Sequence, residues 1–127
     1  MRKNSSKRDF EDYLIDIADA TERIEKFVEG FNLEKFKKDE KTIYAAVMAI
    51  GIIGEASKNI PVRIKNKYKE IPWKKMSGMR DKLVHEYFGV NTEVVWKTIK
   101  EDMPELKKKI LELIKELNIN RRTNILV

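Results

Sequence analysis

Apolar residues recur along this chain at helical spacing, and no stretch alternates them with polar ones as a half-buried strand would. Between Asp9 and Gly30 the residues Phe10, Leu14, Ile17, Thr21, Ile24 and Val28 follow steps of four and three, with Asp, Glu, Arg and Lys between them. The pattern predicts an amphipathic helix with one buried stripe, stopped at Gly30. Asp16, Asp19, Glu22 and Glu25 fall on its wet side. Asn32 to Lys38 reads as a short polar connection with room for a turn of helix. Asp39 is placed to cap a second helix, which runs to about Asn59 before Pro61 ends it.

That second helix is patterned differently. From Ile43 to Gly54 every residue is apolar or glycine, apart from the hydroxyl of Tyr44. A helix apolar on all sides is buried on all sides, and one neighbouring layer of a small domain does not cover it. Gly51 and Gly54, with Ala45, Ala46 and Ala49, would let another helix come close. Part of this surface is therefore expected in a subunit interface, as a twofold homodimer; a central helix covered by its own chain is the alternative. Glu55 ends the run. Its carboxylate needs a cation or hydrogen bonds, for which Arg80 is a candidate, or else an exit to solvent beside Lys58.

Val62 to Glu70 is short and basic, and Pro72 suits the first turn of the helix that follows. Asn91 is an expected N-cap for a further helix that packs Val94, Val95, Trp96 and Ile99. Pro104 interrupts that pattern, and Asp102 with Glu105 fits a capping box, so a break or kink is expected near Met103. A last helix from Glu105 to Leu117 places Leu106, Ile110, Leu113, Ile114 and Leu117 on one stripe. Asn118 to Val127 reads as a frayed tail in which Arg121 and Arg122 touch a phosphate backbone or nothing. The fold class is all-α, an up-and-down bundle of about four to five helices. It forms a single domain over 1–127, with a basic N-terminal extension at 1–8 and a flexible tail at 118–127.

A chain of 127 residues buries one core but not two. The absence of cysteine excludes disulfides and thiolate metal sites, and fits a reducing, cytoplasmic compartment. The apolar run is shorter than the about 20 residues that span a bilayer, and no apolar segment follows the basic start as a secretory signal requires. No membrane contact is expected. The formal net charge of +6, from 27 Lys and Arg against 21 Asp and Glu, is compatible with a polyanionic partner. At 38% charged residues, though, most of these side chains must simply form solvated helix faces.

The chemistry concentrates in one stretch, WKKMSGMRDKLVHEYFGV, from Trp73 to Val90. It holds the only histidine, His85, with Arg80 five residues before it and Tyr87 two after. An imidazole that titrates near neutrality, a permanent guanidinium and a phenol suit metal-free chemistry on a phosphodiester. On one straight helix Arg80 and Tyr87 lie about 20° apart, while His85 points about 140° away, beside Asp81. Either the helix distorts before Gly89 or a second protomer completes the pocket, and the apolar second helix favours the composite site. Position 82, three before His85, is a lysine, so the Glu-x-x-His pairing of di-iron bundles is missing. No metal and no cofactor are expected.

The motif Arg-x4-His-x-Tyr resembles the signature of the HEPN superfamily, and within it the HepT-like group of small helical ribonuclease toxins. The flanks agree in order and spacing: IIGEASKNIP (Ile52 to Pro61), IPWKKMSGMRDKLVHEYFGV (Ile71 to Val90) and VVWKTIKEDMPELKKKI (Val94 to Ile110). The resemblance implies a HEPN-like bundle and a metal-independent endoribonuclease acting through the RNA 2′-hydroxyl. In it His85 would be the general acid or base, Arg80 the phosphate anchor, and Tyr87 a hydrogen-bond donor to the RNA, with Glu55 and Asp81 in support. It also implies a partner, an MntA-like nucleotidyltransferase antitoxin that transfers AMP to the motif tyrosine, here Tyr87. Two other readings compete. The domain could be a non-catalytic nucleotide- or substrate-binding subunit of a two-component nucleotidyltransferase, with Arg80 as a mere phosphate anchor. A purely structural oligomerisation bundle would leave His85 unexplained.

Overall fold

The computed structural model describes residues 9–85 and 89–121, with Val84 and His85 described by backbone alone. The extension 1–8, Tyr87 and Arg122 lie outside the described residues. Helix α1 (Phe10–Phe27) buries Leu14, Ile17, Thr21 and Ile24, the stripe that its spacing predicts. Asn32 caps the short α2 (Leu33–Lys37): its Oδ1 accepts the Lys35 N–H at 2.9 Å. Phe36 of α2 is fully buried and lies 5.0 Å from the Trp96 ring. Helix α3 (Glu40–Lys58) starts at Asp39, whose Oδ1 accepts the Thr42 N–H at 3.0 Å.

Helix α3 is the centre of the bundle. Helix α1 packs along one side of it, and α5 (Trp73–Ser77) with α6 (Met79–Leu83) along another. The small residues explain the second contact. A Cβ on Gly54 would stand 3.2 Å from the Met76 carbonyl oxygen and 3.4 Å from that of Ser77. The close approach that these glycines predict is thus made within the chain, by α5. What its own chain leaves uncovered is a different stripe of α3: Tyr44, Met48 and Ile52 are 57%, 71% and 40% exposed.

Between α3 and α5 lies α4 (Val62–Lys67), which follows Pro61 and buries Ile64. The Trp73 indole N–H donates to the Tyr68 carbonyl at 3.0 Å and ties the start of α5 to the turn after α4. Ser77 Oγ donates to the Trp73 carbonyl at 3.0 Å, a back-bond of the kind that bends helices. The rod is interrupted at Gly78, α6 ends at Leu83, and Val84–His85 pairs antiparallel with Gly89–Val90. Gly89 takes a φ of +86°, and the Asn91 N–H closes the clasp on the Leu83 carbonyl at 2.8 Å. The signature is therefore not carried on one straight helix, and the 140° offset of His85 does not apply. Distortion before Gly89 is what the backbone adopts. The fold is all-α, with this two-pair ladder as a local clasp.

Asn91 Oδ1 accepts the Val94 N–H at 3.2 Å and caps α7 (Thr92–Lys97). Near Met103, where a break or kink is expected, the helix does not break but changes its winding. A π-helical turn over Thr98–Asp102 leads directly into α8 (Met103–Glu116), with right-handed helical backbone at Lys97, Asp102 and Met103. The ring of Pro104 would crowd the carbonyl of Lys100 in a regular α-helix, and the wider turn gives it room. Asp102 caps nothing; its Oδ1 takes the Lys75 ammonium at 3.1 Å instead.

The end of α8 also departs from expectation. Asn118 adopts the left-handed conformation at φ 60°, which asparagine tolerates. The Asn118 N–H reaches the Lys115 carbonyl and the Ile119 N–H that of Ile114, both at 3.0 Å, a Schellman closure. Ile119 packs on the core, and Arg121 then pairs with Asp19 and with Glu22 of α1. Residues 118–121 are docked rather than frayed, and two of the wet-side acids of α1 hold them. No helix among the described residues is long and apolar enough to cross a membrane.

Candidate active site

Arg80 stands on α6 where the bend at Gly78 turns the chain across α3. Its Cδ lies 3.4 Å from the place a Cβ on Gly51 would occupy, so the missing side chain there seats the arginine stem. The residue as a whole is exposed. Among the described residues no ion pair engages it, whereas Arg121 is held by two carboxylates. An exposed, unpaired guanidinium on a packed stem is available to a phosphate, which it can grip through two parallel N–H donors.

Around Arg80 runs an open groove of about 600 Å³ between α3 and α5–α6. Tyr44, Met48 and Ile52 form its apolar wall, and Glu55, Lys58, Ser77 and Asp81 its polar one. Three of the expected site residues, Arg80, Glu55 and Asp81, thus share one groove. Glu55 is exposed at the rim between Arg80 and Lys58 and makes an ion pair with neither among the described residues. Its alternatives resolve toward solvent. Lys58 and Ser77 complete the lining and were not singled out by motif; the signal for Lys58 was its place one turn after Gly54 on the face that α5 meets. Ser77 has its hydroxyl occupied by the Trp73 carbonyl.

His85 enters the picture through its backbone, which pairs with Gly89 directly after α6. Tyr87 lies outside the described residues. Among the described residues no group of three His, Cys, Asp or Glu gathers as it would around a metal ion.

A second groove of about 450 Å³ flanks the same exposed stripe on its other side, between α1 and α3. Asp19, Arg23 and Phe27 line it opposite Ala45, Met48 and Ile52. The stripe Tyr44–Met48–Ile52 is thus a ridge between two grooves.

The fold is thus a helical bundle with Arg80 in a groove on α3 and the only histidine of the sequence five residues downstream. Residues 17–113 match the HepT-like family, described as Ribonuclease HepT-like, and the chain belongs to that family. A protein of Thermococcus cleftensis named probable ribonuclease HepT is 54% identical over 109 residues, covering 86% of this chain and 99% of its own length. A provisionally named RNase of Caldanaerobacter subterraneus is 43% identical over 104 residues, 82% of this chain and 93% of that one. One from Methanocaldococcus jannaschii is 42% identical over 111 residues, 87% and 92% of the two chains. No solved structure matches the chain.

Proposed function

We propose that this chain is an endoribonuclease toxin that cleaves RNA without a metal ion, and that it works as a homodimer. The observation that carries the reading is Arg80, exposed, without an ion pair among the described residues and seated over Gly51 in a groove, five residues before the sole histidine. RNA supplies its own nucleophile. A base, His85, takes the proton of the 2′-hydroxyl; the oxygen attacks phosphorus, the bond to the 5′-oxygen breaks, and an acid returns a proton to that oxygen. The products are a 2′,3′-cyclic phosphate and a 5′-hydroxyl. Such proton transfer contributes about 10²–10⁴ in rate. Arg80 holds the phosphate and favours the charge that develops on it. Tyr87 positions the RNA or donates a hydrogen bond, and Glu55 and Asp81 are supporting carboxylates in the groove.

The ridge of Tyr44, Met48 and Ile52 supports the dimer. Large apolar side chains at these exposures, flanked by grooves on both sides, are shaped for a second copy that inserts its own ridge. Such an interface runs along the groove that holds Arg80, so the two active sites would face each other across it. An MntA-like nucleotidyltransferase is the antitoxin in this reading. AMP on Tyr87 would place a phosphate beside Arg80 and fill the position meant for RNA.

The test is cleavage of labelled RNA in EDTA by the wild type, Arg80→Ala and His85→Ala. Loss of at least a hundredfold in both variants, with folding intact, is expected. A wild type that leaves RNA whole but binds nucleotide through Arg80 would replace the enzyme with the non-catalytic subunit.

A further inference from the structure

The charge of this protein is not spread over its surface. The 21 residues from Val62 to Lys82 hold eight Lys and Arg against Glu70 and Asp81, a surplus equal to the +6 of the entire chain, so the remainder is balanced. Outside the strip the acids equal the cations in number, and some pair directly: Lys37 with Glu93, Lys107 with Glu25, Lys109 with Glu105, and Arg121 with Asp19 and Glu22. In this strip Lys75 is tied to Asp102, and Arg63 lies over the Phe10 ring. Lys65, Lys69, Lys74 and Lys82 have no acidic partner among the described residues. Like charges gathered this way oppose folding, and a bound polyanion would relieve them.

The strip leads to the groove. Ser77, Arg80 and Asp81 at its end line the groove, and Lys74 lies one turn before Ser77 on α5. Lys65 belongs to α4, and Lys69 to the turn between α4 and α5. An acidic protein partner would want apolar anchors at the centre of its interface, yet Val62 is the one large apolar side chain the strip exposes. A phosphate backbone needs only the cations.

We propose that Lys65, Lys69 and Lys74 form a track for the RNA backbone beyond the scissile bond. The track binds nucleotides that do not react, and sets affinity and salt dependence without entering the chemistry. It rests on the ribonuclease reading for the identity of the polyanion.

Three variants test it: Lys65→Glu/Lys69→Glu/Lys74→Glu, the same three changed to Gln, and the same three changed to Arg. Each is compared with the wild type on a long single-stranded RNA and on a tetranucleotide, with circular dichroism as the check on folding. Anisotropy reads binding and fragment analysis reads cleavage. The Glu and Gln variants are expected to bind long RNA at least tenfold more weakly at low salt. The slope of log affinity against log salt should become shallower by about 2, since each single-strand phosphate contact contributes about 0.7. The Arg variant should keep both, and cleavage of the tetranucleotide should not change in any of them. If folded Glu and Gln variants bind long RNA as the wild type does, the track is overturned and the surplus belongs to an acidic protein. Equal losses on the tetranucleotide would also overturn it, by placing these lysines in the site itself. A wild type that binds long RNA through these lysines but cuts neither substrate would refute the ribonuclease reading and leave the track standing.

Discussion

Gly51 and Gly54 lie one turn apart on α3, and alanine is expected to act on them in opposite directions. In a helix interior alanine is favoured over glycine by about 0.8–1.0 kcal/mol, which both substitutions gain. At Gly51 the new methyl would meet only the Arg80 side chain, Cδ at 3.4 Å and Nε at 3.9 Å, ordinary contacts with an exposed and flexible group. Gly51→Ala should therefore stabilise the fold by about 0.5–1 kcal/mol, or a few degrees in Tm. At Gly54 the methyl would meet two backbone carbonyls of α5, at 3.2 and 3.4 Å. Backbone held by the Ser77 and Trp73 hydrogen bonds cannot turn aside, so α5 must retreat from α3. Overpacking of this kind costs about 1–3 kcal/mol, which outweighs the propensity gain. Urea denaturation followed by circular dichroism should rank Gly51→Ala above wild type and Gly54→Ala below it. RNA cleavage should be unchanged in Gly51→Ala, because an ordinary contact leaves the stem of Arg80 in place. A Gly54→Ala protein as stable as Gly51→Ala would refute the claim that α5 rests on the bare backbone of α3.

Three further outcomes follow from single contacts. Phe36→Ala empties a fully buried site against Trp96 and should cost about 3–5 kcal/mol, read as a large fall in Tm. The hydrogen bond from Arg121 holds the Glu22 carboxyl below its usual 4.5, against a smaller opposing effect of burial. A carboxylate lowered in this way adds stability that is present above about pH 4.5 and is lost as pH falls through its folded value. Arg121→Ala should therefore cost about 1 kcal/mol at neutral pH, since the clasp is partly exposed, and little in strong acid; an equal loss at both would show that the clasp is not ionic. Met48→Glu places a charge on the ridge of α3 and should shift sedimentation from dimer to monomer while leaving the helical spectrum unchanged.

The expectations that held rest on interactions within a few residues. The stripe of α1 comes from its own spacing, and Asp39 and Asn91 cap the helices they precede because each oxygen needs only an N–H three residues on. The basic strip, too, is plain in the order of residues. The expectations that failed depended on distant partners. Asp102 has the spacing of a capping box, but Lys75 takes its carboxylate and the π turn removes the helix end it would cap. Arg121 stands in a polar tail and finds its acids on the opposite end of the chain, in α1.

The same division explains the site. The motif of Arg80, His85 and Tyr87 was legible in the sequence, while the course of the backbone that carries Arg80 and His85 was not, because a helical wheel assumes a helix that continues. Here the helix yields to two local demands. The Ser77 hydroxyl competes for the Trp73 carbonyl just before Gly78, and Gly89 offers a positive φ that folds the backbone of His85 against itself. Neither demand shows in apolar periodicity, since Met76, Met79 and Leu83 keep a buried spacing through the interruption. The consequence bears on chemistry. On an unbroken rod the imidazole would be fixed by helical geometry on the side away from Arg80. On a short ladder after α6 the backbone of His85 no longer follows the helix, and that constraint is lifted. The proposed site therefore depends on Gly89 and on the Asn91–Leu83 hydrogen bond, which hold this backbone, as much as on the side chains assigned to it.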